Sequence, residues 1–303
     1  MIRRKLIPAL TLATGLLAGG AMSATAHEGE PHPTPAPVVT GEATYLVSRM
    51  NGAEEVPVSN TGPRVGDKNG SAVTYLRIRG NQVSFAIKWK NIAAPTAGHI
   101  HAGVAGQNGG VKVGFFGALP STARAVTGSV TVADEALLES LKTNPESFYS
   151  NLHTAEFPGG AVRGQFKKSA PVDLNKVLRN GPLAALADGG QEVAGGDVDG
   201  QATGLVRANG SKVTYSLKWN GIASPTKGHL HANKVGLNGP VAVDFFGAPD
   251  GLASTIDGIY GVVTNLDKNL VKNIKLHPSN HYLNIHTTEF PDGAVRGQFF
   301  SAR

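Results

Sequence analysis

Residues 71–103 read SAVTYLRIRGNQVSFAIKWKNIAAPTAGHIHAG, and residues 201–233 repeat the pattern as QATGLVRANGSKVTYSLKWNGIASPTKGHLHAN. In both copies apolar and polar residues alternate on either side of a short glycine-containing pair, Gly80-Asn81 or Asn209-Gly210. A period of two places successive side chains on opposite faces of a strand, and a glycine-containing pair between two such runs is typical of a β-hairpin. The repeat therefore predicts two similar β domains.

Each copy continues with further short apolar stretches, such as VKVGFFG (111–117) and VAVDFFG (241–247). The pattern favours one helix in each copy, at residues 133–144 and 266–277, and a proline follows each of them. The chain also contains 39 glycines, which suits many tight turns. We predict an all-β protein with two tandem sandwiches or barrels, each carrying one short helix as a crossover.

The N-terminus has the pattern of a secretory signal peptide. Basic residues at positions 3–5 precede an apolar run and the small-residue sequence Ala24-Thr25-Ala26, which predicts cleavage before His27. A membrane anchor is the alternative, but glycines at positions 15, 19 and 20 interrupt an apolar run that is already short for a span. We therefore predict a secreted or extracytoplasmic protein with no membrane span after cleavage.

Composition and the repeat divide the chain into five segments. We predict a signal peptide at 1–26, a proline-rich flexible segment at 27–41, a first domain at 42–166, a linker at 167–182 and a second domain at 183–301. Cleavage would expose His27 as the new N-terminus with His32 nearby, a pair that could chelate a metal but that lies in a flexible tail.

Charge and cysteine content exclude several kinds of site. Without the three basic residues of the signal segment, the chain keeps 25 basic and 22 acidic residues, a small and dispersed excess that argues against nucleic acid as a partner. There is no cysteine, which excludes a lipid-modified N-terminal cysteine, a thiolate metal site and disulfides. Packing, or a bound ion, must stabilise the fold.

Six of the ten histidines belong to the repeat. On a strand, the two histidines of a His-x-His pair project from the same face. Three neutral imidazoles suit copper or zinc and leave an open coordination position. Alternatively, the histidines bond to backbone carbonyls and to Glu156 or Asn151, and only fasten a loop to the end of the barrel. The two candidate sets are His99, His101 and His153 in the first copy, and His229, His231 and His286 in the second.

Two other residue types recur in both copies. Trp89 and Trp219 lie on apolar strands and are predicted to be core residues. Arg163 and Arg296 are candidates for binding an anion or for ion pairs with the glutamates of the GAEEVP and GGQEVA segments, Glu55 and Glu192.

Several motifs resemble the CHRD domain family, first described in chordin and found in many exported bacterial proteins. GHIHAGVAGQNGGVKVGFFG with FYSNLHTAEFPGGAVRGQF, and their second copies GHLHANKVGLNGPVAVDFFG and HYLNIHTTEFPDGAVRGQF, carry the resemblance twice over nearly all of residues 42–301. Asn233 departs from the pattern, because the first copy has Gly103 there. The resemblance implies an immunoglobulin-like β-barrel, distantly similar to copper/zinc superoxide dismutase, and no settled activity.

The distant similarity to the dismutase extends to the histidines. Those enzymes hold copper partly through a His-x-His strand and a later histidine, with an arginine that guides the anionic substrate; the candidate histidines and arginines above match these elements in order. Both copies lack the metal-bridging histidine, the zinc-binding loop and the disulfide cysteines. The resemblance therefore does not imply a dismutase of the usual two-metal kind.

Two functional hypotheses follow from the sequence. The first is an exported, non-enzymatic tandem protein that acts as a binding or structural module for an extracellular protein or surface ligand. The second is a copper- or zinc-binding protein with a three-histidine site in each domain and weak redox activity. Serine-hydrolase and phosphate-loop motifs are absent, and no carboxylate pair recurs at useful spacing, which favours a non-enzymatic role.

Overall fold

The computed structural model describes residues 41–59, 61–178 and 181–302, so the predicted signal segment and nearly all of the proline-rich segment lie outside the described residues. The first repeat forms eight strands and one α-helix in this part of the chain. They are β1 (Thr44–Asn51), β2 (Ser71–Arg79), β3 (Gln82–Lys90), β4 (Ala97–Ala102), β5 (Val111–Phe116), β6 (Ala123–Thr131), α1 (Glu135–Thr143), β7 (Phe148–His153) and β8 (Val162–Lys168).

The second repeat forms the same elements in the same order. They are β9 (Leu183–Asp188), β10 (Gln201–Asn209), β11 (Lys212–Asn220), β12 (Lys227–Ala232), β13 (Val241–Gly247), β14 (Ile256–Val263), α2 (Lys268–Leu276), β15 (His281–His286) and β16 (Val295–Ser301). The predicted all-β fold with one short helix per repeat is confirmed.

Both predicted hairpins are present. Gly80-Asn81 connects β2 to β3, but the residues that connect β10 to β11 are Gly210 and Ser211, one position later than predicted. The reason is conformational. The first turn residue has a positive φ in both hairpins, 54° at Gly80 and 62° at Gly210, and glycine adopts this conformation without steric cost.

The two helices lie within the predicted ranges. Each begins after an aspartate whose side chain accepts a hydrogen bond from a backbone N–H of the first turn, Asp134 from Leu137 and Asp267 from Leu270. In α1 the buried face consists of Leu138 and Leu141. Neither these helices nor any other in the described residues has the length and apolar character needed to cross a membrane.

The strands of the first repeat are antiparallel, in the order β6-β3-β2-β1-β8-β7-β4-β5. The two halves of this row face each other across the core. The ring centroids of Phe85 on β3 and Phe115 on β5 lie 4.8 Å apart, and the buried hydroxyls of Thr74 and Ser150 lie 2.9 Å apart. Trp89 is 3% exposed in this core, and Trp219 is 6% exposed in the second, as predicted. The histidine strand β4 thus lies next to β7, far from β6 in the row.

The two repeats are joined by direct strand pairing. β6 of the first repeat pairs antiparallel with β14 of the second, so that sixteen strands of the described residues form one continuous sheet. Residues just before these strands reach into the other repeat, where the Thr122 hydroxyl donates to Phe245 O at 2.7 Å and the Thr255 hydroxyl donates to Phe115 O. Val177 of the linker packs over this junction.

Candidate metal centre

Strand geometry brings the three histidines of the first repeat together. His99 and His101 project from one face of β4, and β7 pairs with β4 so that its last residue, His153, lies opposite Ala97. The ring centroids lie 5.5 Å apart for His99 and His101, 5.2 Å for His99 and His153, and 6.3 Å for His101 and His153. One nitrogen of each ring lies within 4.8 Å of the other two.

The second repeat reproduces this cluster on β12 and β15. The ring of His229 lies 5.4 Å from that of His231 and 4.9 Å from that of His286, and the rings of His231 and His286 lie 6.3 Å apart. The ligand nitrogens of these three residues also lie within 4.8 Å of one another. Both predicted sets therefore converge, although the two members of each His-x-His pair lie about 50 residues from the third.

Backbone carbonyls determine which ring nitrogens are free in the first cluster. His101 Nδ1 lies 2.9 Å from Gly109 O, and His153 Nδ1 lies 3.0 Å from Pro158 O. Because a carbonyl oxygen only accepts, each Nδ1 carries the proton and each Nε2 carries a lone pair. These two Nε2 atoms and Nδ1 of His99 are buried and have no hydrogen-bond partner among the described residues. Buried polar atoms are rarely left without a partner, and a metal ion would satisfy all three.

Metal ligation and loop fastening are therefore compatible roles for these histidines. One nitrogen of His101 and of His153 fastens a loop, as the structural alternative predicted, while the other nitrogen faces the cluster. A metal-binding histidine commonly donates its second N–H to a carbonyl, which fixes the orientation of the ring. The histidines do not bond to Glu156, which is exposed and pairs with Arg64 at 3.3 Å.

The free nitrogens of the second cluster differ in one respect. His231 Nδ1 and His286 Nδ1 again contact carbonyls, those of Gly239 and Pro291, both at 2.9 Å. His229 Nδ1, however, lies 3.1 Å from His286 Nε2, whereas the equivalent Nδ1 of His99 has no partner in the described part of the chain. The second cluster is thus closed by a hydrogen bond between two of its own histidines.

Burial favours the neutral, metal-binding form of His99, His101 and His229. Burial, followed by the neighbouring rings of His153 and His101, lowers the pKa of His99 from 6.5 to about 4. The same causes in the second cluster, burial and then the rings of His286 and His231, lower the pKa of His229 to about 4. Burial also lowers the pKa of His101, against the opposing effect of its bond to Gly109. Neutral imidazole is the form that coordinates a metal.

A tyrosine and an arginine form the layer beside each cluster. The Tyr149 ring stacks on His101, with centroids 4.9 Å apart and an interplanar angle of 12°, and the Arg163 guanidinium lies 3.4 Å from the Tyr149 centroid. In the second repeat Tyr282 stacks on His231 at 4.9 Å, and Arg296 lies 3.6 Å from the Tyr282 ring. These contacts restrict the orientation of His101 and His231.

Arg163 holds the loop between β4 and β5. Its side chain is 1% exposed, and it donates to Val104 O at 3.0 Å, to Gln107 O at 2.7 Å and to the side-chain oxygen of Asn108 at 3.2 Å. In the second repeat, Arg296 donates to the equivalent carbonyls of Lys234 and Leu237 at 3.1 and 2.8 Å. The donors of both arginines are thus directed at loop oxygens.

Glu55 lies near Arg163 without a direct ion pair between them among the described contacts. Its carboxyl accepts from the Asn151 amide at 3.4 Å. Burial raises the pKa of Glu55 to about 8, although the charge of Arg163 and the Asn151 bond lower it. Burial likewise raises the pKa of Glu192 to about 7, against the charge of Arg296. The Glu55 carboxyl is therefore mostly uncharged at neutral pH.

Sequence reasoning missed three kinds of residue at these sites. Tyr149 was not singled out, although FYSNLH and HYLNIH place a tyrosine at the same position in both repeats. Gln165, in the RGQ motif, donates to Gly103 O at 2.9 Å, and Gln298 makes the equivalent bond to Asn233 O at 2.8 Å. This loop contact therefore survives the exchange of glycine for asparagine. The third, Asp244, lies beside the second cluster, with its carboxylate 3.8 Å from His229 Nε2.

Comparison with known proteins agrees with the architecture. The model of the CHRD domain family matches residues 46–166 and, a second time, residues 183–299. A search of curated proteins found no match. The two matched segments together cover most of the chain and coincide with the two β repeats that carry the histidine clusters. The chain belongs to the CHRD domain family and contains two tandem copies of the domain.

Proposed function

We propose that this protein is an extracytoplasmic copper-binding protein that holds one ion in each CHRD repeat through three histidines. The proposal rests above all on the three buried ring nitrogens of the first cluster, His99 Nδ1, His101 Nε2 and His153 Nε2, which converge without a partner among the described residues. The second cluster of three histidines on the same scaffold supports the same role for the second repeat. The N-terminal signal pattern, and the occurrence of this domain in extracellular proteins, support the location.

Copper suits these donors better than zinc. Each cluster offers three neutral imidazoles, and divalent copper binds nitrogen sites more tightly than zinc in the usual order of divalent metals. The histidines would hold the ion, and their neighbours orient the rings. Backbone carbonyls contact Nδ1 of His101 and of His153, and the Tyr149 ring stacks on the ring of His101. Copper, when bound, supplies one-electron redox chemistry. Because the neighbouring Arg163 is buried and bonds to loop oxygens, and Glu55 is partly buried, we propose binding rather than catalysis as the role.

Copper titration of the purified mature protein tests this function. We expect uptake of two ions per chain, one for each histidine cluster, with zinc bound more weakly. Metal content after gel filtration, and competition with a chromophoric chelator, would measure both. A His27→Ala, His32→Ala variant is the matched control for chelation by the N-terminal tail, and it should keep both ions. Absence of copper and zinc uptake at neutral pH would leave the histidines with a structural role.

We expect copper binding to survive mild acid. A free imidazole with a pKa of ~6.5 is mostly protonated at about pH 5.5, so an unperturbed site loses its metal there. Because burial lowers the pKa of His99 and of His229 to about 4, protons compete for these two nitrogens only near that pH. At the second site, where burial also lowers the pKa of His231 and His286, occupancy should therefore remain high at about pH 5.5 and fall towards about pH 4. Loss of copper already at about pH 6.5, with the fold intact by circular dichroism, would contradict this.

A further inference from the structure

The two clusters differ in the residue that lies opposite the first histidine of each His-x-His pair. His99 on β4 lies opposite Gly114 on β5, whereas the equivalent His229 on β12 lies opposite Asp244 on β13. The Asp244 carboxylate lies 3.8 Å from His229 Nε2, close enough for a charge interaction but longer than a hydrogen bond. The first repeat has no side chain at this position. A Cβ added at Gly114 would lie 4.0 Å from His99 Cδ2, so a side chain would fit there in ordinary contact.

Hydrogen bonding determines the tautomer of His229 in the metal-free cluster. His286 donates its Nδ1 proton to Pro291 O, so His286 Nε2 can only accept in the 3.1 Å contact with His229 Nδ1. His229 therefore carries its proton on Nδ1, the nitrogen that faces the cluster. For His229 to coordinate through Nδ1, this proton must leave that atom, and the tautomer that binds metal carries its proton on Nε2 beside Asp244.

We propose that Asp244 is a positioning residue that favours the metal-binding tautomer of His229 and strengthens copper(II) binding in the second repeat, a feature absent from the first. The inference rests on the proposed copper function. A carboxylate that accepts from the outer N–H of a coordinating histidine fixes the ring and increases the basicity of its inner nitrogen. Its negative charge also favours copper(II) over copper(I), so it should lower the reduction potential of the bound ion.

The two sites also differ in positive charge, on β12 itself and at Lys112 of β5, where β13 has Ala242, and these differences must be separated from the effect of Asp244. Lys227 stands where the first repeat has Ala97, and its positive charge lowers the pKa of His229. A carboxylate is expected to act in the opposite sense. A direct comparison of the two sites would mix both charges. The test therefore compares variants of one site at a time. Asp244→Gly removes the carboxylate from the second site, and Gly114→Asp introduces one at the first.

The experiment uses the full mature chain with one cluster disabled. In a His101→Ala background, which leaves the second site, Asp244→Gly should weaken copper(II) binding about tenfold and raise the copper(II)/copper(I) potential. In a His231→Ala background, Gly114→Asp should shift both quantities in the opposite sense. Lys227→Ala in the first background is the charge control and should not weaken copper(II) binding. Chelator competition measures the affinities, and voltammetry measures the potentials.

The outcomes separate this inference from the function on which it rests. If neither single-site protein binds copper, the proposed function fails. If both bind copper but Asp244→Gly leaves affinity and potential unchanged, the function stands and the role of Asp244 is overturned. The role of Asp244 is also overturned if the Gly114→Asp protein folds but its copper(II) affinity and potential do not change. A change in the same direction as that caused by Asp244→Gly would overturn it too. Asp244→Asn keeps a hydrogen-bond acceptor but removes the charge. This variant should therefore bind copper(II) more tightly than Asp244→Gly does, while its copper(II)/copper(I) potential should be higher than that of the protein with Asp244.

Discussion

Replacing His101 with alanine is expected to reduce copper binding from two ions per chain to one. His101 supplies one of three converging nitrogens in the first cluster, and two remaining imidazoles form a much weaker site. The second cluster has its own three histidines and should keep full affinity. Metal analysis together with chelator titration measures the loss.

The reciprocal variant His231→Ala should also bind one ion, and the double variant should bind none. His277→Ala is a suitable control, because His277 is exposed and belongs to neither cluster, and it should keep both ions. Circular dichroism would verify that each variant retains its β structure. Two ions still bound by the double variant would place the copper elsewhere and end the proposed function.

The sequence predicts which histidines belong to the cluster better than it predicts their chemistry. Strand alternation places His99 and His101 on one face, and the repeat identifies His153 as their companion. Which nitrogen of each ring is free could not be predicted, because it depends on carbonyls of distant loops, those of Gly109 and Pro158. The closeness of His153 to the pair likewise depends on the pairing of β4 with β7, a contact between segments that local patterns do not specify.

In the fold, too, the sequence predicts the elements that depend on neighbouring residues but not the pairing of strands that lie far apart in the chain. Hairpins and helices follow from alternation, turn residues and capping aspartates, all of which act within a few residues. The pairing of β6 with β14 was not predicted, because alternation identifies a strand but not its partner. In the structure β6 is buried on both faces along Ala125–Gly128, as expected of a strand covered on both sides. The Val177 segment of the linker supplies the second cover.

Replacing Arg163 with alanine is expected to destabilise the protein by roughly 3 kcal/mol, because hydrogen bonds to a charged group contribute about 1.5–3 kcal/mol each and the loop carbonyls would lose their donors. Arg163 is 1% exposed and donates to two carbonyls and one side-chain oxygen of the loop after β4. Its loss should also free the Tyr149 ring on which His101 stacks. We therefore expect lower copper affinity at the first site as well.

Urea unfolding followed by tryptophan fluorescence would measure the effect on stability. Each repeat has one buried tryptophan, Trp89 or Trp219, whose fluorescence reports the unfolding of that repeat. Arg163→Lys should recover little, because an ammonium cannot reproduce the planar fork that reaches all three oxygens. Arg296→Ala should repeat the result in the second repeat, where the same three contacts exist. Arg49→Ala is the control for loss of one positive charge, because this residue is exposed on β1. If Arg163→Ala unfolds at the same urea concentration as Arg49→Ala, the buried arginine does not stabilise the loop, and the ordering of His101 must come from Tyr149 and Gly109 alone.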